Sequence, residues 1–307
     1  MIMLCGIRSE APMQLLAEHL EEMAAPFVVF HQRDFESCNL RFTIEGGNVK
    51  GIFTANGKDW PLQDFQAIYP RMMDYRSLPE LNGETGNSTR SSHCRDLHRS
   101  LVQWIDISAA RVINSTDAMA SNGSKPYQAQ LIRAAGFKIP DTLITNEPDL
   151  VQEFKKLHGR IIYKSISGTR SIVQTLEDTD LDRLESIRWC PTQFQQFVPG
   201  TNLRVHVVGD EVYATAILSD VTDYRYARQQ TGEAAELAEA KLSSEWESRC
   251  IALSKLLDLP FCGIDLKITP DHEVFCFEVN PSPAFSYYEL NTGQPISAAL
   301  ARLLTAA

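Results

Sequence analysis

Two short runs near the end of the chain alternate between apolar and polar residues, and this alternation constrains the fold most. Residues 263–268 read GIDLKI and residues 274–280 read VFCFEVN. A period of two, interrupted by a few turn-forming residues, predicts an antiparallel β-hairpin. In the first strand, Asp265 and Lys267 are predicted to lie on the face opposite Ile264, Leu266 and Ile268. In the second, one face is predicted to carry Cys276, Glu278 and Asn280, and the other Phe275, Phe277 and Val279.

The length of the hairpin loop determines which residues face each other. Residues 270–273 are predicted to form a four-residue loop, which pairs Thr269 with Val274. The same register places Asp265 directly opposite Glu278, with β-carbons about 5 Å apart. A slip of one residue would send the two acids to opposite faces of the sheet.

Two carboxylates that face each other repel unless a cation or a proton lies between them. Together with the amide oxygen of Asn280, Asp265 and Glu278 would form a set of hard oxygen ligands that suits magnesium. The hairpin therefore indicates a metal site. The alternative that spacing alone leaves open is a pair of exposed acids on a solvated sheet face.

Helical and strand-like periods alternate along the rest of the chain, which places it in the α/β class. Its 307 residues are enough for two domains or three smaller lobes. A β-α-β unit opens the chain over residues 1–30, and the acidic stretch 233–247 is interpreted as a solvated helix face. Further strands are predicted near 40–45, 49–54, 67–71, 142–145, 160–164, 203–208 and 211–218, and helices near 91–110, 124–135, 149–157 and 246–257.

Composition argues against several classes of protein. The net charge of −10 argues against a nucleic-acid-binding face, because phosphates require clustered Lys and Arg. No run approaches the roughly 20 apolar residues that span a bilayer, and the first residues do not resemble a secretory signal. Seven cysteines occur without a C-x-x-C pair and are interpreted as reduced thiols. P-loop and dinucleotide-binding glycine motifs do not occur. We therefore expect a cytoplasmic protein that binds neither nucleic acid nor membranes.

The hairpin also carries a resemblance to a known family. Gly263-Ile264-Asp265 and Glu278-Val279-Asn280-Pro281-Ser282-Pro283 resemble the metal-binding end of ATP-grasp ligases, especially the RimK-like branch that adds glutamate to a ribosomal protein. Asn114-Ser115, Lys125, Gln130-Leu131 and residues 135–146 are similar to the central lobe of the same family and of ligases that macrocyclise ribosomal peptides. Tyr69-Pro70-Arg71 is similar to a strand end in those peptide ligases.

The resemblance implies an ATP-grasp fold of three α/β lobes. Residues 1–112 would form a pre-ATP-grasp substrate lobe, and residues 113–192 a small central lobe. Residues 193–307 would form a C-terminal lobe with an antiparallel sheet and the metal site.

The resemblance also implies a nucleotide site. Lys125 and Lys164 match the lysines that hold ATP phosphates, and residues 165–170, with Ser167 and Gly168, match the loop that closes over them. Residues 195–198 match the hinge that holds adenine, and Asn202 stands where many members place an acid on the ribose hydroxyls. The hinge residues are Gln195, Gln196, Phe197 and Val198, of which Gln196 replaces a usual Glu.

Two arginines match catalytic positions of the family. Arg204 follows the family pattern, and Arg225 lies near the arginine of its substrate loop. Residues 226–228 replace the Asn-containing run of glutamate ligases, which leaves the acceptor open. Either arginine could instead be a structural ion-pair partner.

The implied reaction is ATP-dependent ligation of a carboxylate to an amine through an acyl phosphate, with Mg²⁺ (or Mn²⁺) on Asp265, Glu278 and Asn280. The acceptor would be an amino acid, peptide or protein, and the chain could form homo-oligomers. A second possibility is a ligase that links the acidic side chains of a peptide to its own Ser, Thr or Lys. A third is a non-catalytic ATP-binding regulatory module, because a fold alone does not prove turnover.

Overall fold

The computed structural model describes residues 1–166, 173–218 and 236–306. Within these residues, four β-sheets are flanked by helices, which confirms the mixed α/β class.

The N-terminal part holds a parallel sheet and a smaller antiparallel sheet. Its elements are β1 (Ile2–Gly6), α1 (Ala11–Glu22), β2 (Phe27–His31), β3 (Cys38–Glu45), β4 (Asn48–Ala55), β5 (Lys58–Pro61), β6 (Ala67–Arg71), α2 (Thr89–Ile107) and β7 (Arg111–Val112). Strands β2, β1, β6 and β7 are parallel in that order, and β3, β4 and β5 form the antiparallel sheet. Strand β1 is buried along its length, as expected where both faces are covered. The predicted β-α-β opening is confirmed.

The central part holds a four-stranded antiparallel sheet. Its elements are α3 (Thr116–Met119), α4 (Lys125–Ala134), β8 (Thr142–Thr145), α5 (Pro148–His158), β9 (Ile161–Ser165), β10 (Gln174–Thr175), α6 (Asp178–Leu181) and β11 (Thr192–Gln196). The strand order is β10, β9, β11, β8. Helix α5 covers one face, where Val151, Ile161 and Phe194 are buried in one cluster.

The C-terminal part holds a five-stranded antiparallel sheet. Its elements are β12 (Thr201–Val208), β13 (Glu211–Leu218), β14 (Glu236–Ala240), α7 (Ser244–Leu256), β15 (Phe261–Ile268), β16 (Val274–Asn280), α8 (Ser286–Thr292) and α9 (Ile296–Thr305). The strand order is β14, β13, β12, β15, β16. The helix predicted across the acidic stretch is wrong at residues 236–240, because these residues pair with β13 as the edge strand β14.

The hairpin of β15 and β16 confirms the predicted facing pair and corrects the register around it. Asp265 lies opposite Glu278, but Val274 pairs with Ile268 instead of Thr269, so the loop is one residue longer. A β-bulge after Asp265 takes up the difference by leaving Phe277 as an extra residue on β16.

The bulge also changes which side chains share a face. Cys276 is fully buried in the core beneath the sheet, together with Val279, whereas Phe277 lines the opposite face beside Glu278. The predicted faces of Cys276 and Phe277 are therefore wrong. Strict alternation cannot anticipate a bulge, which reverses the order of faces at that point.

The N-terminal and C-terminal parts share one apolar core. Leu16 of α1 lies in the same buried cluster as Phe261 of β15 and Leu300 of α9. The Asn114 side chain, 3% exposed, reinforces this junction because its Nδ2 donates to the carbonyl oxygens of Phe261 and Pro281, at 2.6 Å each. The division into three lobes at residues 112 and 192 stays a prediction. No helix in the described part of the chain is long and apolar enough to cross a membrane.

Candidate active site

A cleft lies between the central sheet and the C-terminal sheet. Its empty volume is about 850 Å³ with its open mouth included. The central sheet contributes residues of β9 and β11, and the C-terminal sheet contributes residues of β12, β15 and β16. Of the predicted site residues, Lys164, Gln195, Gln196, Phe197, Val198, Asn202, Asp265 and Glu278 line it together.

The two facing acids each lie beside a cation. Arg204 is directly across from Asp265 on β12, and its Nε and Nη2 approach the two carboxylate oxygens at 2.8 and 3.2 Å. Lys125 Nζ lies 3.3 Å from Glu278 Oε1 and donates to Asn122 Oδ1 at 2.6 Å. Lys125 is the first residue of α4, and the N-terminus of this helix lies beside the edge strand β16. The two acids therefore lie next to each other at the centre, with Arg204 beside Asp265 on one side and Lys125 beside Glu278 on the other.

The oxygen donors at this point fit a hard divalent cation. A carboxylate has about four lone-pair positions, so Asp265 and Glu278 can each keep a cationic partner and still offer oxygen to a metal. Within residues 1–166, 173–218 and 236–306, no three or more His, Cys, Asp or Glu side chains form a group that could hold a metal. A third protein oxygen in this part of the molecule would therefore come from a group such as the Asn280 amide.

Asn280 and Gly263 face each other two pairs along the hairpin from Asp265 and Glu278. The Asn280 Oδ1 accepts a hydrogen bond from the Ser282 N–H at 3.0 Å. A β-carbon on Gly263 would lie 2.7 Å from Arg204 Nη1 and 2.9 Å from Pro283 Cβ. Glycine is favoured here, because Pro283 leaves no room for a β-carbon and the guanidinium of Arg204 would have to shift.

The backbone N–H groups of the hinge segment are hydrogen-bonded within the protein, and its side chains line the cleft. The backbone N–H groups of Gln196 and Phe197 donate to the carbonyls of Asp141 and Arg160, at 2.9 and 3.1 Å. The Gln195 side chain donates to Thr142 Oγ1 at 3.0 Å. Strand β11 ends at Gln196, so the chain leaves the central sheet at this point and crosses to the C-terminal sheet. Phe197 and Val198, in this crossing, line the cleft.

Lys267 and Phe277 also line the cleft and were missed as site residues from sequence. Lys267 Nζ donates to the Val198 carbonyl at 3.0 Å and lies 5.5 and 5.8 Å from the ring centroids of Phe197 and Phe277. Burial, followed by the nearby Arg160, lowers the pKa of Lys267. The signal for Lys267 was its shared face with Asp265, whereas Phe277 could not be found because the bulge reverses its face.

A buried imidazole lies next to Arg204 on β12. His206 is fully buried and packs edge-on against the Tyr288 ring, with centroids 5.0 Å apart. Neither ring nitrogen has a hydrogen-bond partner within the described residues. Burial and then Arg204 hold the pKa of His206 well below its ordinary value. His206 is therefore a neutral group on the same face of β12 as Arg204.

Three predicted site residues, Ser167, Gly168 and Arg225, lie outside the described residues. The proposed roles of the residues that the cleft does bring together stay predictions.

Comparisons with known proteins agree with this geometry. A model of the RimK-like ATP-grasp domain matches residues 122–304. A probable alpha-L-glutamate ligase of Vibrio atlanticus (strain LGP32) is 25% identical over 207 residues, which cover 64% of this chain and 68% of that protein.

Solved structures extend the likeness to the whole chain. The macrocyclase MdnC from Microcystis aeruginosa MRC, bound with its precursor peptide MdnA, is 24% identical with a TM-score of 0.83, covering 100% of this chain and 99% of that one. The ATP-grasp ligase PsnB, complexed with a minimal precursor, Mg and ADP, is 26% identical with a TM-score of 0.81, covering 99% and 96%.

The fold and the cleft define an ATP-grasp protein, and the predicted fold with its antiparallel C-terminal sheet is confirmed. The family model covers more than half of the sequence, so the chain belongs to the RimK-like ATP-grasp family. It is an ATP-grasp ligase, an enzyme that forms carbon–nitrogen bonds.

Proposed function

We propose that this ligase uses ATP to activate carboxylates of a peptide as acyl phosphates and joins them to amine or hydroxyl groups of the same peptide. One observation carries the proposal: a single cleft gathers the hinge, Lys164 and the facing pair Asp265 and Glu278. A peptide substrate is supported because MdnC and PsnB, each solved with a precursor peptide, are similar over nearly the full chain, including the N-terminal part.

The chemistry proceeds in two steps. A carboxylate oxygen attacks the γ-phosphorus of ATP, the bond from that phosphorus to the β–γ bridging oxygen breaks, and ADP leaves. An amine nitrogen or hydroxyl oxygen then attacks the acyl carbon, loses its proton and expels inorganic phosphate. These steps depend on orientation and charge neutralisation, so no nucleophilic side chain is required.

The side chains are assigned to these steps by position and charge. Lys125 and Lys164 hold the phosphates, and Arg204 stabilises the negative charge that develops on the transferred phosphoryl group. Asp265, Glu278 and Asn280 would hold Mg²⁺ or Mn²⁺, which neutralises the β- and γ-phosphates when bound.

The nucleotide and acceptor are assigned to the remaining predicted residues. The hinge Gln195–Val198 and Asn202 border the base and ribose, and Ser167 and Gly168 belong to the loop assigned to the phosphates. Arg225 is assigned to the acceptor. We expect the enzyme to work in the cytoplasm.

The proposal is tested by incubating the enzyme with ATP, Mg²⁺ and a synthetic peptide encoded beside its gene. Each bond formed within the peptide should remove the mass of one water and release one ADP, and omission of ATP should abolish both. An unchanged peptide mass across all neighbouring short peptides, with no ADP released, would contradict the proposal.

A second candidate is the addition of an amino acid to a peptide or protein. It is favoured by the sequence similarity to the probable glutamate ligase of Vibrio atlanticus. In the same assay with free glutamate present, this activity would raise the mass of the acceptor by one residue instead of lowering it.

A further inference from the structure

The loop that follows β16 is held by side chains from distant parts of the chain. It consists of Pro281, Ser282 and Pro283, and its two prolines have no N–H to donate. The Pro281 carbonyl accepts from Asn114 Nδ2 at 2.6 Å. The Ser282 N–H donates back to Asn280 Oδ1 at 3.0 Å, so the loop determines where the amide of Asn280 points.

Arg71, at the end of β6, holds the remainder of this loop from the N-terminal sheet. Its Nη1 donates to Ser282 Oγ and the Pro283 carbonyl, at 3.1 Å each, and approaches the Ser282 carbonyl at 3.4 Å. Its Nε donates to Glu10 Oε2 at 3.0 Å, and the side chain is only 14% exposed. A planar guanidinium with a fixed fork can satisfy this arrangement, whereas an ammonium group lacks the same geometry.

We propose that Arg71 is a positioning residue of the metal site. By fixing Ser282 and Pro283, it holds the turn whose N–H orients the Asn280 amide oxygen beside Asp265 and Glu278. The inference rests on the proposed function, because it concerns the metal that this function uses. Groups that orient metal ligands from outside typically change metal affinity 10- to 100-fold when removed.

The direct test measures Mn²⁺ binding by electron paramagnetic resonance in the presence of a non-hydrolysable ATP analogue. Arg71→Met should weaken Mn²⁺ binding about 10-fold, because the turn loses its anchor while Asp265 and Glu278 remain. Arg71→Lys should recover part of the affinity, since it keeps the charge and one donor. The circular dichroism spectrum and the midpoint of thermal unfolding should stay close to wild type.

Matched variants separate this inference from general damage and from the proposed function. Arg99→Met removes an exposed arginine on α2 and should leave Mn²⁺ binding unchanged. Glu10→Gln removes the negative charge that pairs with Arg71 and should weaken Mn²⁺ binding less than Arg71→Met does. This variant also tests the inference if Arg71→Met does not fold.

Asp265→Asn serves as the reference for the metal site itself. If Arg71→Met and Glu10→Gln bind Mn²⁺ as tightly as wild type while Asp265→Asn does not, the proposed role of Arg71 is wrong. The metal site itself would then still stand. Unchanged Mn²⁺ binding in Asp265→Asn as well would overturn the metal site and the proposed function with it.

Discussion

Lys267 lies at the end of the cleft next to the hinge, away from the acids that face each other. It stands directly across from Asn202, and its ammonium donates to Val198 and contacts the Phe197 ring. Arg160 lies over the same ring, 3.7 Å from the centroid. The family often places an acid at the position of Asn202, but here that side chain is neutral. The cation of Lys267 is thus not balanced at its cross-strand partner, and we expect it to donate to acceptors of the bound nucleotide.

Replacing Lys267 with Met keeps the length of the side chain and removes the ammonium. We expect about 10-fold weaker ATP binding, the effect of losing one charge-assisted hydrogen bond of about 1.5 kcal/mol. We also expect a slightly higher unfolding midpoint, because a partly desolvated cation is removed. Isothermal titration calorimetry and thermal unfolding measure the two effects. Lys156→Met, an exposed change on α5, is the control, and unchanged ATP affinity in Lys267→Met would contradict the assignment.

In the hairpin of β15 and β16, the facing acids could be predicted from sequence, but the loop length and the bulge could not. The facing pair Asp265 and Glu278 follows from alternation together with a short loop. The longer loop shifts the pairing by one residue, and the bulge shifts it back by one residue. Asp265 therefore still faces Glu278, although the predicted positions of Thr269 and Phe277 are wrong. Contacts between residues far apart in the chain could not be predicted from the spacing of residue types. Lys125 entered the predicted site only through family resemblance, as a phosphate-binding lysine. Neither its contact with Glu278 nor the bond from Arg71 to the loop after β16 was anticipated.

The edge strand β16 is completed by a side chain instead of another strand. Gln128 of α4 is 1% exposed, and its amide donates to the Val279 carbonyl at 2.8 Å and accepts from the Val279 N–H at 2.9 Å. Val279 lies between Glu278 and Asn280, so this amide fixes the backbone that carries both predicted metal ligands. Sequence analysis missed Gln128, since a single Gln in a helix carries no periodic signal.

Substituting Gln128 with Leu would leave both backbone groups of Val279 buried without partners. We expect the free energy of unfolding to fall by roughly 3 kcal/mol, because each unsatisfied group costs about 1–3 kcal/mol. Urea unfolding followed by circular dichroism measures the change. Gln130→Leu on the exposed side of the same helix should lie within about 0.5 kcal/mol of wild type. Equal stability of the two variants would show that the Gln128 contacts contribute little.

The pH dependence of stability includes a contribution from His206, which is buried on the site face of the C-terminal sheet. His206 is neutral when folded, because burial and Arg204 depress its pKa, whereas in the unfolded chain it titrates near the ordinary value of about 6.5. Below that pH the unfolded state binds a proton that the folded state does not. The stabilisation associated with neutral His206 is therefore complete above pH 6.5 and declines as the pH falls toward the depressed folded value.

The unfolding free energy should accordingly fall by up to about 1.4 kcal/mol for each pH unit below 6.5 from this residue alone. His206→Phe preserves an aromatic ring and should flatten this part of the profile between pH 7 and pH 5. His272→Asn, in the exposed hairpin loop, is the matched control, since Asn tolerates the left-handed backbone found there. Identical slopes in wild type and His206→Phe would contradict the assignment.

The role of the facing acids can be tested by counting ADP released and bonds formed in one reaction with a peptide substrate. Wild type should give one ADP for each bond. Asp265→Asn and Glu278→Gln should lower both rates at least about 1,000-fold while the circular dichroism spectrum is retained, because preorganised charge is lost where the phosphoryl group transfers. Glu245→Gln, an exposed change on α7, should behave like wild type. Full ligation by Glu278→Gln would contradict the claim that the facing acids of β15 and β16 form the centre of this enzyme.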